Sequence, residues 1–334
     1  MSFKTFFFLT CVTIILDSVL SNHSFSDARE KFKDTLFVIK YNYNAPRELV
    51  LSHIHIWIKV FRNQMIFLPW TEKEASSFQA HNTSTLPKVN IVSYRDDIVD
   101  SGYLAYQVAV IAMKRFPNAT GYLFSHDDVA MNVSRLIDLD DKSFWYSSWL
   151  PHRTDSCRDL DAGWKNQTNN WWWDSAYGTP AIDNLLGNHT DIATSMQRCF
   201  GSVHHWCGEQ SDFFYVPQLF RSEFVRVVGA FGDHKIFLEV AIPSFYRCFV
   251  PPQKLEKVLT CSTFQEMRNN FTFMEDNCGE NYPIFHPVKL SYPGNELGMR
   301  RKMGLRGAEK YRHNNKRTSI FASAKTFLNL FVGN

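Results

Sequence analysis

The sequence carries almost no surplus charge of either sign. Its 36 Lys and Arg against 33 Asp and Glu leave a net charge of +3 over 334 residues, too mild a balance to argue for nucleic acid as a partner. Glycine and proline are sparse, at 15 and 13 residues, and no Ser/Gly-rich or Pro-rich stretch divides the chain. No apolar run is long enough to span a bilayer. The run from Phe6 to Leu16 has 11 residues, where a spanning helix needs about 20. Three motifs are also missing. No CxxC pair occurs, which disfavours a zinc ribbon. No GxSxG elbow occurs, which disfavours a serine hydrolase. No GxxxxGK[ST] loop occurs, which disfavours a P-loop kinase.

What is present points to a globular protein with an address. Hydrophobic residues make up 45% and charged residues 21%, so disorder is excluded as the main state. Aromatics reach 15%, with 29 Phe, 13 Tyr and 9 Trp, enough to fill a core and to line a cleft. Residues 1–21 read as a signal peptide: Lys4 gives the basic start, Phe6 to Leu16 the apolar core, and the segment around Ser21 a cleavage point. The alternative is a short uncleaved anchor of the type that holds Golgi enzymes. In either case the membrane is met only through this segment, and residues 22–334 are expected to form a single domain. Seven Asn-x-Ser/Thr sequons, at Asn22, Asn82, Asn118, Asn132, Asn166, Asn188 and Asn270, fit a secretory route through the ER or Golgi lumen. So do the six cysteines beyond the signal, Cys157, Cys199, Cys207, Cys248, Cys261 and Cys278, which an oxidising lumen could join as three disulfides whose pairing the sequence leaves open.

The apolar pattern alternates between two periods. Leu36–Ile39, Met65–Leu68, Val89–Tyr94 and Gly121–Phe124 read as short buried strands. Leu49–Val60 and Ser101–Phe116 read as helices, and Thr71–Thr85 as a polar stretch. This order predicts an α/β fold: a Rossmann-like, mostly parallel central sheet with helices on both faces. Ligands then bind at the carboxyl ends of strands. From Lys142 to Trp206 the periodicity is weak and seven of the nine Trp occur; long loops and irregular strands laid over the sheet are expected there. Phe213–Val216 and a helix from His234 to Tyr246 restore regularity. Residues 299–317 form a basic tail that includes Arg300, Arg301, Lys302 and Arg306, for which a solvated face is the plainest reading.

The segment with the most chemistry is Ser125-His126-Asp127-Asp128, directly after the fourth strand. Two adjacent carboxylates in a partly buried place repel each other, and a divalent cation relieves the repulsion. Hard oxygen ligands suit Mn2+ or Mg2+ with positions left for phosphate. In this place and order the segment resembles the acidic DxD motif of the GT-A glycosyltransferases, with His126 where the first acid usually stands. The resemblance implies a GT-A-like fold, a nucleotide-sugar donor, and a glycan or glycoprotein acceptor. It assigns Asp128 to the metal and Asp127 to the ribose or to a metal-bound water. His286, in Pro283-Ile284-Phe285-His286-Pro287, matches the late histidine that completes the metal site, and Lys289 a cation for the diphosphate. Imidazole can take one metal position, and lysine is a good point charge for phosphate.

An inverting transfer also needs a carboxylate to take the acceptor's proton. Asp212 or Glu209, just before the Phe213 strand, is the first candidate, and Glu239 in an apolar helix the second. Trp171-Trp172-Trp173 and Trp206 could offer faces to sugar rings, with Asp155, Asp159, Asp161 and Asp174 for hydroxyls. These residues imply a metal-dependent glycosyltransferase, most simply of a UDP-linked sugar. The competing readings are a secreted carbohydrate-binding pseudoenzyme on the same scaffold and a metal-dependent phosphoesterase that recruits His204 and His205.

Overall fold

The computed structural model describes residues 26–41, 45–82, 88–94, 102–148, 157–159, 178–262, 278 and 282–288. The N-terminal segment, the Trp171-Trp172-Trp173 triplet, Lys289 and the basic tail lie outside these residues.

The four expected strands form and build one half of a sheet. They are β1 (Thr35–Lys40), β2 (Asn63–Leu68), β3 (Val89–Ser93) and β4 (Gly121–His126). Between them run α1 (Arg47–Trp57), α2 (Glu72–Asn82) and α3 (Gln107–Arg115). Downstream come β5 (Ala130–Met131), α4 (Val133–Leu136), β6 (Phe144–Ser148), β7 (Cys157–Asp159), α5 (Thr179–Asn188), α6 (Thr190–Phe200), β8 (His205–Cys207), β9 (Phe213–Pro217), α7 (Arg221–Asp233), α8 (Leu238–Phe249), β10 (Leu255–Cys261) and β11 (Ile284–Phe285). The sheet order is β3-β2-β1-β4-β9-β6-β10-β11-β5. β1 pairs in parallel with both β2 and β4, β2 with β3, and β10 with both β6 and β11. β9 is antiparallel to β4 and β6, and β5 to β11. The protein is therefore α/β, with a mixed, mostly parallel central sheet.

Alternation along each strand feeds two cores. Leu36, Val38, Tyr122, Phe124 and Phe214 join helices α3 and α5–α8 on one face. Phe37, Ile39, Leu123, Phe213 and Tyr215 join α1 and α2 on the other. Strands buried on both sides read as continuous apolar runs, which is why β1, β2 and β4 were visible in sequence.

Two expectations need correcting. The polar stretch Thr71–Thr85 is largely helix α2. Its start is a capping box: the Thr71 N–H donates to Glu74 Oε2 at 2.8 Å, and the Glu74 N–H donates to Thr71 Oγ1 at 3.2 Å. Only Ala75 and Phe78 of this helix are buried, so its apolar signal is faint. The Trp-rich middle is also more regular than expected. It contains β6 and the pair α5 and α6, the first begun by Thr179-Pro180, a favoured opening because proline's missing N–H would be unbonded there in any case.

One close approach fixes a residue type. A Cβ on Gly121 would lie 1.9 Å from Tyr215 Oη and 2.3 Å from its Cζ. Tyr215 is buried, stacks on Trp145 and donates to Asp141 O, so its ring has nowhere to retreat. Gly121→Ala is expected to destabilise the fold by about 3 kcal/mol, the upper range for overpacking. Urea unfolding of the variant checks this; an unchanged midpoint would refute the contact.

Four of the cysteines are paired. Cys157–Cys207 ties β7 to β8 and Cys261–Cys278 anchors the end of β10. Disulfides belong to oxidising compartments. Cys199 on α6 and Cys248 on α8 are free thiols hydrogen bonded to each other. Each sulfur also meets the other's helix, Cys199 Sγ at Arg247 O and Cys248 Sγ at Ser195 O. In protein made through an oxidising compartment, non-reducing peptide mapping is expected to recover a Cys199–Cys248 crosslink. Quantitative alkylation of both thiols without reductant would exclude it.

Candidate active site

Chain order places the site. From β1 the strands step outward to β3; the chain then returns through α3 to lay β4 on the other side of β1. The two connections diverge there, at the strands' carboxyl ends, the place where open α/β sheets bind ligands. The ends of the two strands are tied by the Asp127 N–H, which donates to Lys40 O at 3.1 Å. Lys40 ends β1 as a buried cation, its Nζ bonded to Tyr41 O at 2.6 Å and 5.5 Å from the centre of the Tyr94 ring. Nothing in the sequence marks this lysine beyond its place at the end of an apolar strand.

His126, Asp127 and Asp128 are all buried at the end of β4. Asp212 immediately precedes β9, the antiparallel neighbour of β4, so the pairing that aligns Ser125 with Phe213 also brings Asp212 beside His126. The contact is double. The His126 N–H donates to Asp212 O at 3.0 Å, and His126 Nδ1 donates to Asp212 Oδ1 at 2.8 Å. His286 arrives from the far side of the sheet. Its N–H donates to Cys261 O at 3.1 Å, and two residues later Val288 N–H donates to Asp128 O at 2.5 Å. These bonds set His286 Nε2 3.4 Å from Asp128 Oδ1 and 3.8 Å from Asp212 Oδ2. Residues 158 positions apart in sequence thus face one another.

The acids differ in basicity. Burial would raise Asp212, but the charges of His286 and His126 outweigh it and hold the carboxyl at about 2. Glu239, in the first turn of α8, goes the other way. Burial first, then the charge of Asp212, raise it to about 8 against the opposing pull of His286. Glu209 is engaged elsewhere. Its Oε2 accepts from Tyr246 Oη at 2.6 Å and lies 3.9 Å from Arg247 Nη2, while its N–H donates to Glu239 O. Its carboxylate is held by α8 and has structural work there.

The residues fit a divalent cation in one particular way. Among the described residues no group of three His, Cys, Asp or Glu side chains forms a ready cage. Asp128 and His286 instead offer an oxygen and a nitrogen at the spacing of two ligands on one ion. That suits Mg2+ or Mn2+, which take few protein ligands and fill the remaining positions with water and substrate phosphate.

Other expected groups fall differently. Trp206 is fully buried against Phe231 with its indole N–H donated to Val203 O, so it is core and not a sugar platform. His205 packs on Phe200. Asp159 lies on β7. Lys289, Asp155, Asp161 and Asp174 lie outside the described residues. Gln210, absent from the sequence reading, is buried in contact with His286.

Fold and site together define an α/β protein with a carboxylate–imidazole cluster at the carboxyl end of a central strand of its sheet. No family model matches the chain. In sequence it is similar to two proteins of Arabidopsis thaliana. "Probable glycosyltransferase STELLO2" is 23% identical over 191 residues, 57% of this chain and 24% of that protein. "Probable glycosyltransferase STELLO1" is 22% identical over 178 residues, 53% and 22% respectively. The similarity spans about a quarter of the length of these relatives. Among solved structures, glucosyl-3-phosphoglycerate synthase from Mycobacterium tuberculosis, in complex with phosphoglyceric acid, aligns over 67% of this chain and 69% of its own, with a TM-score of 0.31 and 11% identity, too weak a likeness to bear on the site. Over about half of its length the chain is thus similar in sequence to two proteins named as probable glycosyltransferases.

Proposed function

We propose that the protein is a metal-dependent glycosyltransferase of the secretory pathway, moving a sugar from a nucleotide-sugar donor, UDP-linked in the simplest case, to a hydroxyl of a glycan or glycoprotein. The observation that carries this reading is the approach of His286 Nε2 to Asp128 Oδ1 at 3.4 Å just past the carboxyl end of β4. Asp128 and His286 would hold Mn2+ or Mg2+, and Asp127 the ribose or a metal-bound water. The cation would neutralise charge growing on the departing diphosphate. Lys289, next after Val288, would add a second positive charge there.

The acids then divide the remaining work. A group held at about 2 is a weak proton acceptor, so Asp212 serves best by orienting His126. Glu239, poised near 8, is the better match to a hydroxyl proton.

The secretory setting rests on the disulfides, the sequons and the N-terminal segment. Asn132 is 7% exposed beside the acidic pair, whereas Asn118 and Asn188 are exposed. Glycopeptide mapping is expected to find Asn132 bare and glycans among the accessible sequons. A glycan on Asn132 would contradict the burial of this residue.

The direct test supplies the full chain with Mn2+ and a panel of sugar nucleotides, scored by thermal shift and by release of free nucleotide. One donor should stabilise the fold and be consumed. Glycan binding with no response to any donor would instead favour the pseudoenzyme. Silence to every donor with Mn2+ present would sink the transferase reading.

A further inference from the structure

We propose that Gln210 is a positioning residue whose amide can match either proton position of His286, and so lets the imidazole free its other nitrogen for a divalent cation. The inference rests on the reading of Asp128 and His286 as cation ligands. An imidazole has two ring nitrogens, and both are accounted for here. His286 Nε2 faces Asp128 and Asp212. His286 Nδ1 meets the side-chain amide of Gln210. The Gln210 backbone is pinned, because its carbonyl accepts from Ser147 Oγ at 3.0 Å on β6. The side chain is buried at 6% exposure.

What the amide presents must match the tautomer. With its carbonyl toward Nδ1 it accepts the Nδ1–H, and Nε2 keeps a lone pair for a metal. With its NH2 toward Nδ1 it donates, and the proton must sit on Nε2, pointing at the two carboxylates. Half a turn of the amide interconverts the two. Among the described residues the buried Oε1 of Gln210 has no hydrogen-bond partner, so none of them locks the amide in either sense. The Nε2 side therefore chooses: carboxylates alone favour Nε2–H, and a cation favours the lone pair. Glutamine is suited to this because it can both donate and accept. Glutamate can only accept, and leucine can do neither. Partners that orient a ligating histidine in this way typically contribute 10–100-fold in metal affinity.

The experiment uses the full chain and Mn2+ alone, with free Mn2+ read by electron paramagnetic resonance. Gln210→Leu should weaken binding about 10–100-fold. Gln210→Glu, which holds the Nδ1–H form, should bind at least as tightly as wild type. Both variants matching wild type, or both failing equally with circular dichroism unchanged, would overturn the proposal. Nitrogen-15 spectra of labelled histidine, with the His286 signals assigned by His286→Gln, supply a second readout free of metal. Wild type should carry its proton on Nε2 and Gln210→Glu on Nδ1; the same tautomer in both refutes the role of Gln210. Wild type that binds no Mn2+ would remove the cation reading itself, and the metal-free spectra would still decide the claim about Gln210.

Discussion

Asp128→Asn is expected to lower sugar transfer by about a thousandfold or more while the protein stays folded. The argument is electrostatic. Asp128 is 4% exposed, with its carboxylate beside His286 and a second acid, Asp212, facing the same imidazole. Removing one anionic ligand weakens the hold on the cation that, in the proposed reaction, neutralises the leaving diphosphate. Single groups of that kind are worth about 3–4 kcal/mol, or two to three powers of ten, and loss of the cation itself adds to it. Asparagine keeps the shape, and the bond from Val288 N–H to the residue 128 carbonyl needs no side chain. Stability without metal should therefore hold, or rise slightly as like charges are thinned. Two measurements check this: nucleotide release with the chosen donor, and the melting temperature with and without Mn2+. The variant should melt like wild type in chelator and show no Mn2+ shift. Wild-type turnover in Asp128→Asn would end the metal assignment.

The sequence disclosed this site unevenly, for physical reasons. Asp127 and Asp128 were visible because a buried parallel strand is a short apolar run, and acids at its end stand out against it. β1, β2 and β4 were readable on the same ground. α2 was not, because only two of its residues are buried and a capping box, Thr71 to Glu74, is a faint signal without an apolar stripe behind it. α5 and α6 were obscured by the aromatic stretch before them, although Thr179-Pro180 marks the start of the first. The candidate acids could be collected from the sequence but not ranked. Ranking needed Tyr246 to claim Glu209, and His126 and His286 to claim Asp212. Those contacts join positions far apart in the chain and depend on β9 lying antiparallel to β4. Gln210 left no trace at all, since an amide beside a histidine becomes informative only when the register of β11 is known.

Glu239 should show activity and stability moving in opposite directions. In the fold its carboxyl sits near 8, against an ordinary 4.5, because burial and the charge of Asp212 disfavour the anion. Below pH 4.5 folded and unfolded chains both hold the proton, and Glu239 imposes no cost. Between 4.5 and 8 the unfolded chain has released its proton and the folded one has not, so stability falls as pH rises; above 8 the loss is complete. The full separation would be several kcal/mol; Glu239 is half-buried, and solvent screening leaves about 1–2 kcal/mol of it. Glu239→Gln removes the titration. Its melting temperature should exceed that of wild type by a few degrees at pH 9 and match it at pH 4.5. Transfer should respond the other way. As the proton acceptor, Glu239 must be ionised, so wild-type turnover should climb with pH to a midpoint near 8, lower once the cation adds its positive charge. Glu239→Gln should cost about 100-fold or more in turnover with donor affinity unchanged. A variant that is more stable at high pH yet fully active would leave Glu239 as a merely strained buried acid. One that loses donor binding together with turnover would place it at the nucleotide and not at the acceptor.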